Sequence, residues 1–304
     1  MVVAGPKWQR LVSAGVVVSL LALALLAGSR DATGAARPSV PDVRSLIEAV
    51  DDLRLAPLLG SALADAGAPG FNLGSPQLIV SYNGVIALVF GGWPTAALNA
   101  KDAVDRQLIS GLVGFAGLYL RERGGSKFPK TSLAALCTDC TLTAAQLEAL
   151  QQLCTKWSRR AQASAFLLEV RRLSLIAYRN RCLSDPYIKV WNLDVGGTAD
   201  DEPAPSQLVV VGKVVEEAAA VATAAKRHKY LAKVNAPGNR APHYAEPAEG
   251  LTVVSLWKDS NVGAQPDWLT GFFAEVDALL PAQYTRFPFA SLHVTLRGVI
   301  ELEV

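Results

Sequence analysis

The sequence predicts an α+β protein, with a mainly helical domain that contains a β-hairpin and a small carboxy-terminal βαβ block. Three patterns lead to this fold class: apolar residues at helical spacing from Val43, an Asn83-Gly84 turn between two apolar runs, and a strand, helix and strand after Gly250. The chain has 304 residues, of which 51% are hydrophobic and 18% are charged. This composition supports a sizeable core and excludes intrinsic disorder of the whole chain. The formal net charge of +2 provides no overall attraction to polyanions.

An apolar segment near the amino terminus predicts a membrane or secretory address. Residues 11–28 are eighteen in number, carry no charge and follow two basic residues. This layout is typical of a cleaved signal peptide and of a single N-terminal anchor, and its length approaches the ~20 residues that cross a bilayer. We therefore expect residues 1–30 to be a signal peptide or a transmembrane anchor and residues 31–42 to be a tether. The protein would then be a single-pass membrane protein or an exported protein.

The first globular block is expected over residues 43–193. Asn83-Gly84 predicts a two-residue hairpin turn, because both turn positions require positive φ. Thr143 followed by Gln146 is a capping-box pattern that predicts the start of a helix. Because Gly and Pro are absent from there to Cys182, the sequence predicts one long helix or two abutting helices over that stretch.

Two stretches rich in Gly, Pro or acidic residues divide the rest of the chain. Residues 194–207 predict an acidic linker, and residues 235–250 predict a Pro/Gly-rich linker. Between them, residues 208–234 predict a strand or a helix that runs into a basic helix. The last block, residues 251–304, has the βαβ order, and no internal repeat is evident.

The final strand contains the candidate catalytic residues. In His293-Val294-Thr295, the period of two places the imidazole and the hydroxyl on one face of the strand and the valine on the other. One imidazole can transfer a proton while the neighbouring hydroxyl donates a hydrogen bond to a phosphoryl oxygen. The pattern therefore suits chemistry on a phosphate.

This region resembles one lobe of the 2H phosphoesterases, and within that family the cyclic phosphodiesterases. The resemblance rests on residues 253–257, the helix that follows them and residues 289–300, and it covers about residues 250–304. It implies hydrolysis of 2′,3′-cyclic or 1″,2″-cyclic nucleotide phosphates, without a cofactor or a metal, with His293 as the proton-transfer group and Thr295 as the phosphate ligand. The family uses two His-x-Thr motifs and this chain carries one. The resemblance thus implies a truncated product, an inactive domain, or a site that a partner completes.

An alternative function is a non-catalytic, membrane-tethered adaptor or structural protein. The expected partners are a cyclic-phosphate nucleotide or RNA end at the carboxy-terminal block, another protein at residues 43–193, and a membrane at residues 11–28. The basic residues between positions 156 and 181 spread around a helical wheel, which favours a solvated face over a binding stripe.

The four cysteines leave several interpretations open. Cys137 and Cys140 form one CxxC pair, but Cys154 and Cys182 supply no second pair and fit no common zinc site. Zinc, disulfides, a redox-active CxxC pair and ordinary buried thiols remain as alternatives.

Overall fold

A computed structural model describes residues 43–66, 70–111, 128–184, 186–195, 202–219 and 224–302, and its architecture is α+β, as the sequence predicts. The helices are α1 (Val43–Asp52), α2 (Leu55–Asp65), α3 (Thr95–Gly111), α4 (Ala144–Ala163), α5 (Pro205–Ala219), α6 (Ala224–Val234), α7 (Ala241–Ala245) and α8 (Asp267–Leu279). The strands are β1 (Phe71–Leu73), β2 (Gln77–Val80), β3 (Ile86–Val89), β4 (Lys130–Leu136), β5 (Leu168–Val170), β6 (Arg172–Asn180), β7 (Lys189–Asp194), β8 (Pro247–Leu256), β9 (Tyr284–Arg286) and β10 (His293–Leu302).

Two four-stranded antiparallel sheets form the framework. The first sheet has the strand order β2-β3-β4-β9 and the second sheet has the order β10-β8-β6-β7, while β1 and β5 form a separate pair. In the first sheet β4 pairs with β9, and in the second sheet β6 pairs with β8. Strands from the predicted 43–193 and 251–304 blocks are thus hydrogen-bonded into common sheets. The linker predicted at 194–207 does not separate two domains, and six of its residues, 196–201, lie outside the described residues.

The hairpin at Asn83 forms as an antiparallel pair of β2 and β3. Asn83 has φ 65° and Gly84 has φ 74°, so both adopt the positive φ that the sequence predicts. The connection has three residues rather than two, because the backbone N–H of Ser81 donates to the carbonyl of Val85 at 2.8 Å. A Cβ at Gly84 would also lie 2.3 Å from a methyl carbon of Leu136, so both its φ and its close packing favour glycine.

The long helix predicted up to Cys182 is wrong beyond Ala163. The capping box at Thr143 is present and α4 begins where predicted, but Ala165 adopts φ 51° in the left-handed region just after α4 ends. The chain then forms β5 and β6. Both faces of β6 are buried, so its apolar residues form a nearly continuous run that lacks the alternation of a surface strand. The 43–193 block therefore contains strands β1 to β7 and is not mainly helical with a single hairpin.

The region between the two predicted linkers is helical where the structure describes it. Residues 208–219 lie on α5 and residues 224–234 lie on α6, so the basic helix forms as expected. The predicted 235–250 linker contains α7 and the first residues of β8.

Buried polar contacts join the two sheets and anchor β10. The indole N–H of Trp257, just after β8, donates to the hydroxyl of Thr131 on β4 at 3.0 Å, and both residues are buried. The guanidinium of Arg297 on β10 lies 2.6 Å from a carboxylate oxygen of Asp105 on α3, and the Arg297 side chain is 5% exposed. These contacts fix the second sheet against the remainder of the core.

The prediction of a transmembrane helix is not upheld. Among the helices that the structure describes, none combines the length and the apolar character needed to cross a bilayer. Residues 11–28, on which the prediction of a signal or an anchor rests, lie outside the described residues.

Candidate functional site

His293 and Thr295 lie at the start of β10, on the same face of the second sheet. The burial pattern alternates, with Val294 and Leu296 buried in the core and His293 and Thr295 partly exposed. This is the arrangement that the period of two predicts. The structure therefore brings the two predicted site residues together.

A backbone contact holds the His293 ring. Its Nδ1 lies 2.8 Å from the carbonyl oxygen of Ser291. Because a carbonyl oxygen only accepts, Nδ1 carries the proton of the neutral ring, and Nε2 is then the unprotonated nitrogen. The Ser291 hydroxyl donates to the carbonyl of Pro288 at 2.8 Å, which stabilises the turn that presents this acceptor.

Although part of His293 is exposed, burial of its ring among neighbouring atoms lowers its pKa below the ordinary value, and the hydrogen bond to Ser291 opposes that shift in part. Burial disfavours the imidazolium because the charged ring loses hydration. The neutral ring is therefore favoured near pH 7, and its Nε2 is able to accept a proton. This is the property required of a general base.

The second sheet places a further hydroxyl on the same face. Val254 on β8 is the cross-strand neighbour of both Thr295 on β10 and Ser174 on β6. Because directly paired residues in an antiparallel sheet share a face, Thr295, Val254 and Ser174 form a row across three strands. The Ser174 hydroxyl lies 3.4 Å from Oδ1 of Asn192, its partner on β7, and donates to it.

Lys258 places a positive charge just beyond the end of β8, near the start of β10. The cross-strand neighbour of His293 is Leu256, and Lys258 is two residues further along the chain. The backbone N–H of Trp257 donates to the carbonyl of Leu292 at 2.9 Å, which ties the end of β8 to the start of β10. The Lys258 ammonium lies 5.0 Å from the centre of the Tyr187 ring, which packs against this face.

Sequence reasoning missed Ser174 and Asn192. It assigned Ser174 to a helix, and Asn192 carries no motif of its own. The signal available for Ser174 is the apolar run 173–178, which is typical of a central strand once the helix has ended. Its position relative to Thr295 depends on pairing through β8, which no local pattern reveals.

The two other histidines lie elsewhere. His228 is exposed on α6, which packs against the 3-10 turn at Tyr82–Gly84 and against α4. The carbonyl of His243 on α7 accepts a hydrogen bond from Arg181, which also pairs with Glu301. Glu301 is eight residues along β10 from His293, about 25 Å at the rise of a strand. The structure therefore supplies no second histidine beside the first.

A short sequence match relates the segment that leads into β10 to the segment that forms the start of β4. Residues 128–133 and residues 287–292 share the pattern Phe-Pro-x-x-Ser-Leu, which the sequence analysis missed. Where β10 continues with His293 and Thr295, β4 continues with Ala134 and Leu136. The matched strand therefore has neither an acid–base group nor a hydroxyl at these positions.

Two cavities lie away from His293. One of ≈ 500 Å³ is lined by Cys137, Thr285 and Glu246 among others, and one of ≈ 480 Å³ lies between β2 and helices α4, α5 and α6. Neither is lined by His293 or Thr295. Within the described ranges no group of three or more His, Cys, Asp or Glu side chains is placed to hold a metal ion, and the four cysteines are free thiols.

Comparison with known proteins finds no match among protein families, curated proteins or solved structures. The interpretation of the site therefore depends on the residues of this chain and their geometry. The resemblance to a phosphoesterase lobe stays a prediction.

Proposed function

We propose that the face of the second sheet around His293 binds a phosphate ester and that the protein is a phosphoesterase of the cyclic phosphodiesterase kind. The observation that supports this proposal is the pairing of His293 and Thr295 on one face, with Nδ1 of the imidazole held by Ser291 and Nε2 unprotonated. The substrate class is a 2′,3′-cyclic or 1″,2″-cyclic nucleotide phosphate, free or at an RNA end.

The roles follow from the chemistry of each group. Thr295 donates a hydrogen bond to a phosphoryl oxygen, and Ser174 offers a second hydroxyl across the row. Lys258 provides positive charge at the same end of the sheet. Nε2 of His293 removes a proton from the attacking water as its oxygen bonds to phosphorus. The bond from phosphorus to the 2′ oxygen breaks, and that oxygen takes a proton.

The leaving oxygen has no second histidine to protonate it. Solvent, or the same imidazole after it has been protonated, must supply that proton. Loss of one partner of an acid–base pair typically costs about 10²–10⁴-fold in rate. We therefore expect slow turnover by this chain, with substrate binding retained.

The test uses the full chain and 2′,3′-cyclic AMP, with opening of the ring followed by ³¹P NMR. We expect slow conversion to one phosphomonoester, loss of that conversion in His293→Ala, and weaker binding in Thr295→Val. The matched control is His228→Ala, because His228 is exposed on α6 away from this face. Equal rates for the wild type and His293→Ala would exclude His293 as the proton-transfer group. Saturable binding without turnover, weakened by Thr295→Val, would replace catalysis with recognition of cyclic phosphates.

A further inference from the structure

The CxxC pair lies in a turn at the edge of a cavity. Cys137 directly follows β4, is partly exposed, and lines the ≈ 500 Å³ cavity. The backbone N–H of Cys140 donates to the carbonyl of Cys137 at 3.3 Å, which closes the turn between them. The turn places the two thiols near each other, and the interaction with Cys137 is one cause of the raised pKa of Cys140. A solute that enters this cavity therefore meets a thiol with a second thiol beside it.

A buried cation lies next to the pair. Arg240, at the start of α7, is 8% exposed, and its Nη1 atom is buried with no hydrogen-bond partner among the residues that the structure describes. Burial is the main cause of the raised pKa of Cys140, and the charge of Arg240 opposes it. A buried guanidinium with an unpartnered nitrogen favours an anion beside it. Arg240 is therefore placed to stabilise the Cys140 thiolate.

The other two cysteines lack this arrangement. Cys154 is buried on α4, and burial raises its pKa to about 12. The thiol of Cys182 donates to Oδ1 of Asn180 at 3.2 Å. Oxidation should therefore be selective for the CxxC pair.

We propose that Cys137 and Cys140 are a modification site, at which a hydroperoxide oxidises the pair to an intramolecular disulfide. The Cys137 thiolate attacks the peroxide, the O–O bond breaks, and Cys137 becomes a sulfenic acid while the peroxide leaves as water or an alcohol. The Cys140 thiolate then attacks the sulfenic sulfur, an S–S bond forms, and hydroxide leaves and is protonated to water. Two electrons pass from the thiols to the peroxide. A dithiol reductant reverses the reaction.

Disulfide formation changes a contact at β9. The reduced thiol of Cys137 donates to the carbonyl of Ala282 at 3.4 Å and lies 3.6 Å from the Thr285 hydroxyl. A disulfide has no S–H, so the bond to Ala282 is lost on oxidation. This change occurs in the turn before β9 and does not depend on the proposed function.

The test treats the reduced full chain with hydrogen peroxide, then measures intact mass and free thiols after denaturation. We expect loss of two thiols and of the mass of two hydrogen atoms, a crosslinked peptide containing Cys137 and Cys140, and full reversal by dithiothreitol. Cys140→Ser should instead accumulate a sulfenic acid that dimedone traps on Cys137. Cys182→Ser is the matched control and should behave as the wild type.

The role of Arg240 as a positioning residue is tested by the rate at which the disulfide forms. Loss of a cation that lowers a thiol pKa reduces the fraction present as thiolate, and the greater nucleophilicity of the remaining thiolate compensates for only part of that loss. Arg240→Gln should therefore slow the attack of Cys140 on the sulfenic sulfur and prolong the sulfenic intermediate that dimedone traps, with circular dichroism used to verify the fold. First oxidation at Cys154 or Cys182, or two lost thiols without a Cys137–Cys140 crosslink, would overturn the proposal.

Discussion

Replacing Thr131 with valine tests the contact that joins the two four-stranded sheets. Valine has nearly the same shape, so the substitution leaves no cavity, but it removes the acceptor of the Trp257 indole N–H. Both residues are buried, so water does not replace the lost hydroxyl. A buried donor without a partner costs about 1–3 kcal/mol, and we expect the free energy of unfolding to fall by about 2 kcal/mol. For a chain of 304 residues, that corresponds to a decrease in Tm of about 3 °C.

Urea unfolding followed by tryptophan fluorescence measures this change, and two further variants test its cause. Thr131→Ser keeps the hydroxyl and should recover most of the stability, apart from the lost methyl group. In the double variant with Trp257→Phe the unpaired N–H is gone, so the two substitutions should cost less than the sum of their separate effects. A Thr131→Val protein within about 0.5 kcal/mol of the wild type would refute the reasoning.

Two other substitutions test packing and capping by the same unfolding measurement. A Cβ at Gly271 on α8 would lie 2.3 Å from the Trp157 ring, so Gly271→Ala should lower the free energy of unfolding by about 1–3 kcal/mol, despite the higher helix propensity of alanine. The control is Gly263→Ala, whose new Cβ meets no atom within 4 Å and which should stay within about 0.5 kcal/mol of the wild type. Thr143→Ala removes the hydroxyl that accepts from the Gln146 N–H at 3.2 Å, and we expect the free energy of unfolding to fall by about 1 kcal/mol. An unchanged free energy of unfolding would mean that the capping box does not stabilise α4.

The part of the candidate site that depends on neighbouring residues, His293 and Thr295, could be predicted from the sequence. His293 and Thr295 share a face because of the period of a strand, which three consecutive residues suffice to predict. Ser174 could not be found in this way, because it reaches the same face only through pairing of β6 with β8, about eighty residues later. Long-range register depends on which strands meet in the folded chain, and a single sequence does not specify that.

The same distinction explains the errors in the fold. The Asn83-Gly84 turn and the Thr143 capping box were correct because each depends on neighbouring residues alone. The helix predicted up to Cys182 failed because a central strand buried on both faces lacks the alternation that identifies surface strands. The boundary at 194–207 failed as a domain division because sheet pairing crosses it. Composition identifies exposed connections, but it does not reveal whether the chain on each side enters the same sheet.

The pH dependence of stability tests the protonation state on which the proposed role of His293 depends. Burial lowers the pKa of His293 in the folded protein, while the unfolded chain has the ordinary value of about 6.5. Between the folded-state pKa and pH 6.5, the unfolded state binds more protons than the folded state. The free energy of unfolding therefore decreases as the pH falls below about 6.5, with a slope of at most about 1.4 kcal/mol per pH unit from this group.

His293→Asn removes the titrating ring and keeps a donor for the carbonyl of Ser291. Because the pKa of His243 is also lowered, the wild-type curve contains more than one histidine, and the difference between wild type and variant isolates His293. The difference in free energy of unfolding between the wild type and His293→Asn should shrink as the pH falls from 7 to 5. The corresponding difference for Thr295→Val, which keeps the histidine, should not change with pH. A constant difference for His293→Asn would mean that the ring is not buried in the neutral form. The unprotonated Nε2 needed for general base catalysis would then have no support from the folded state.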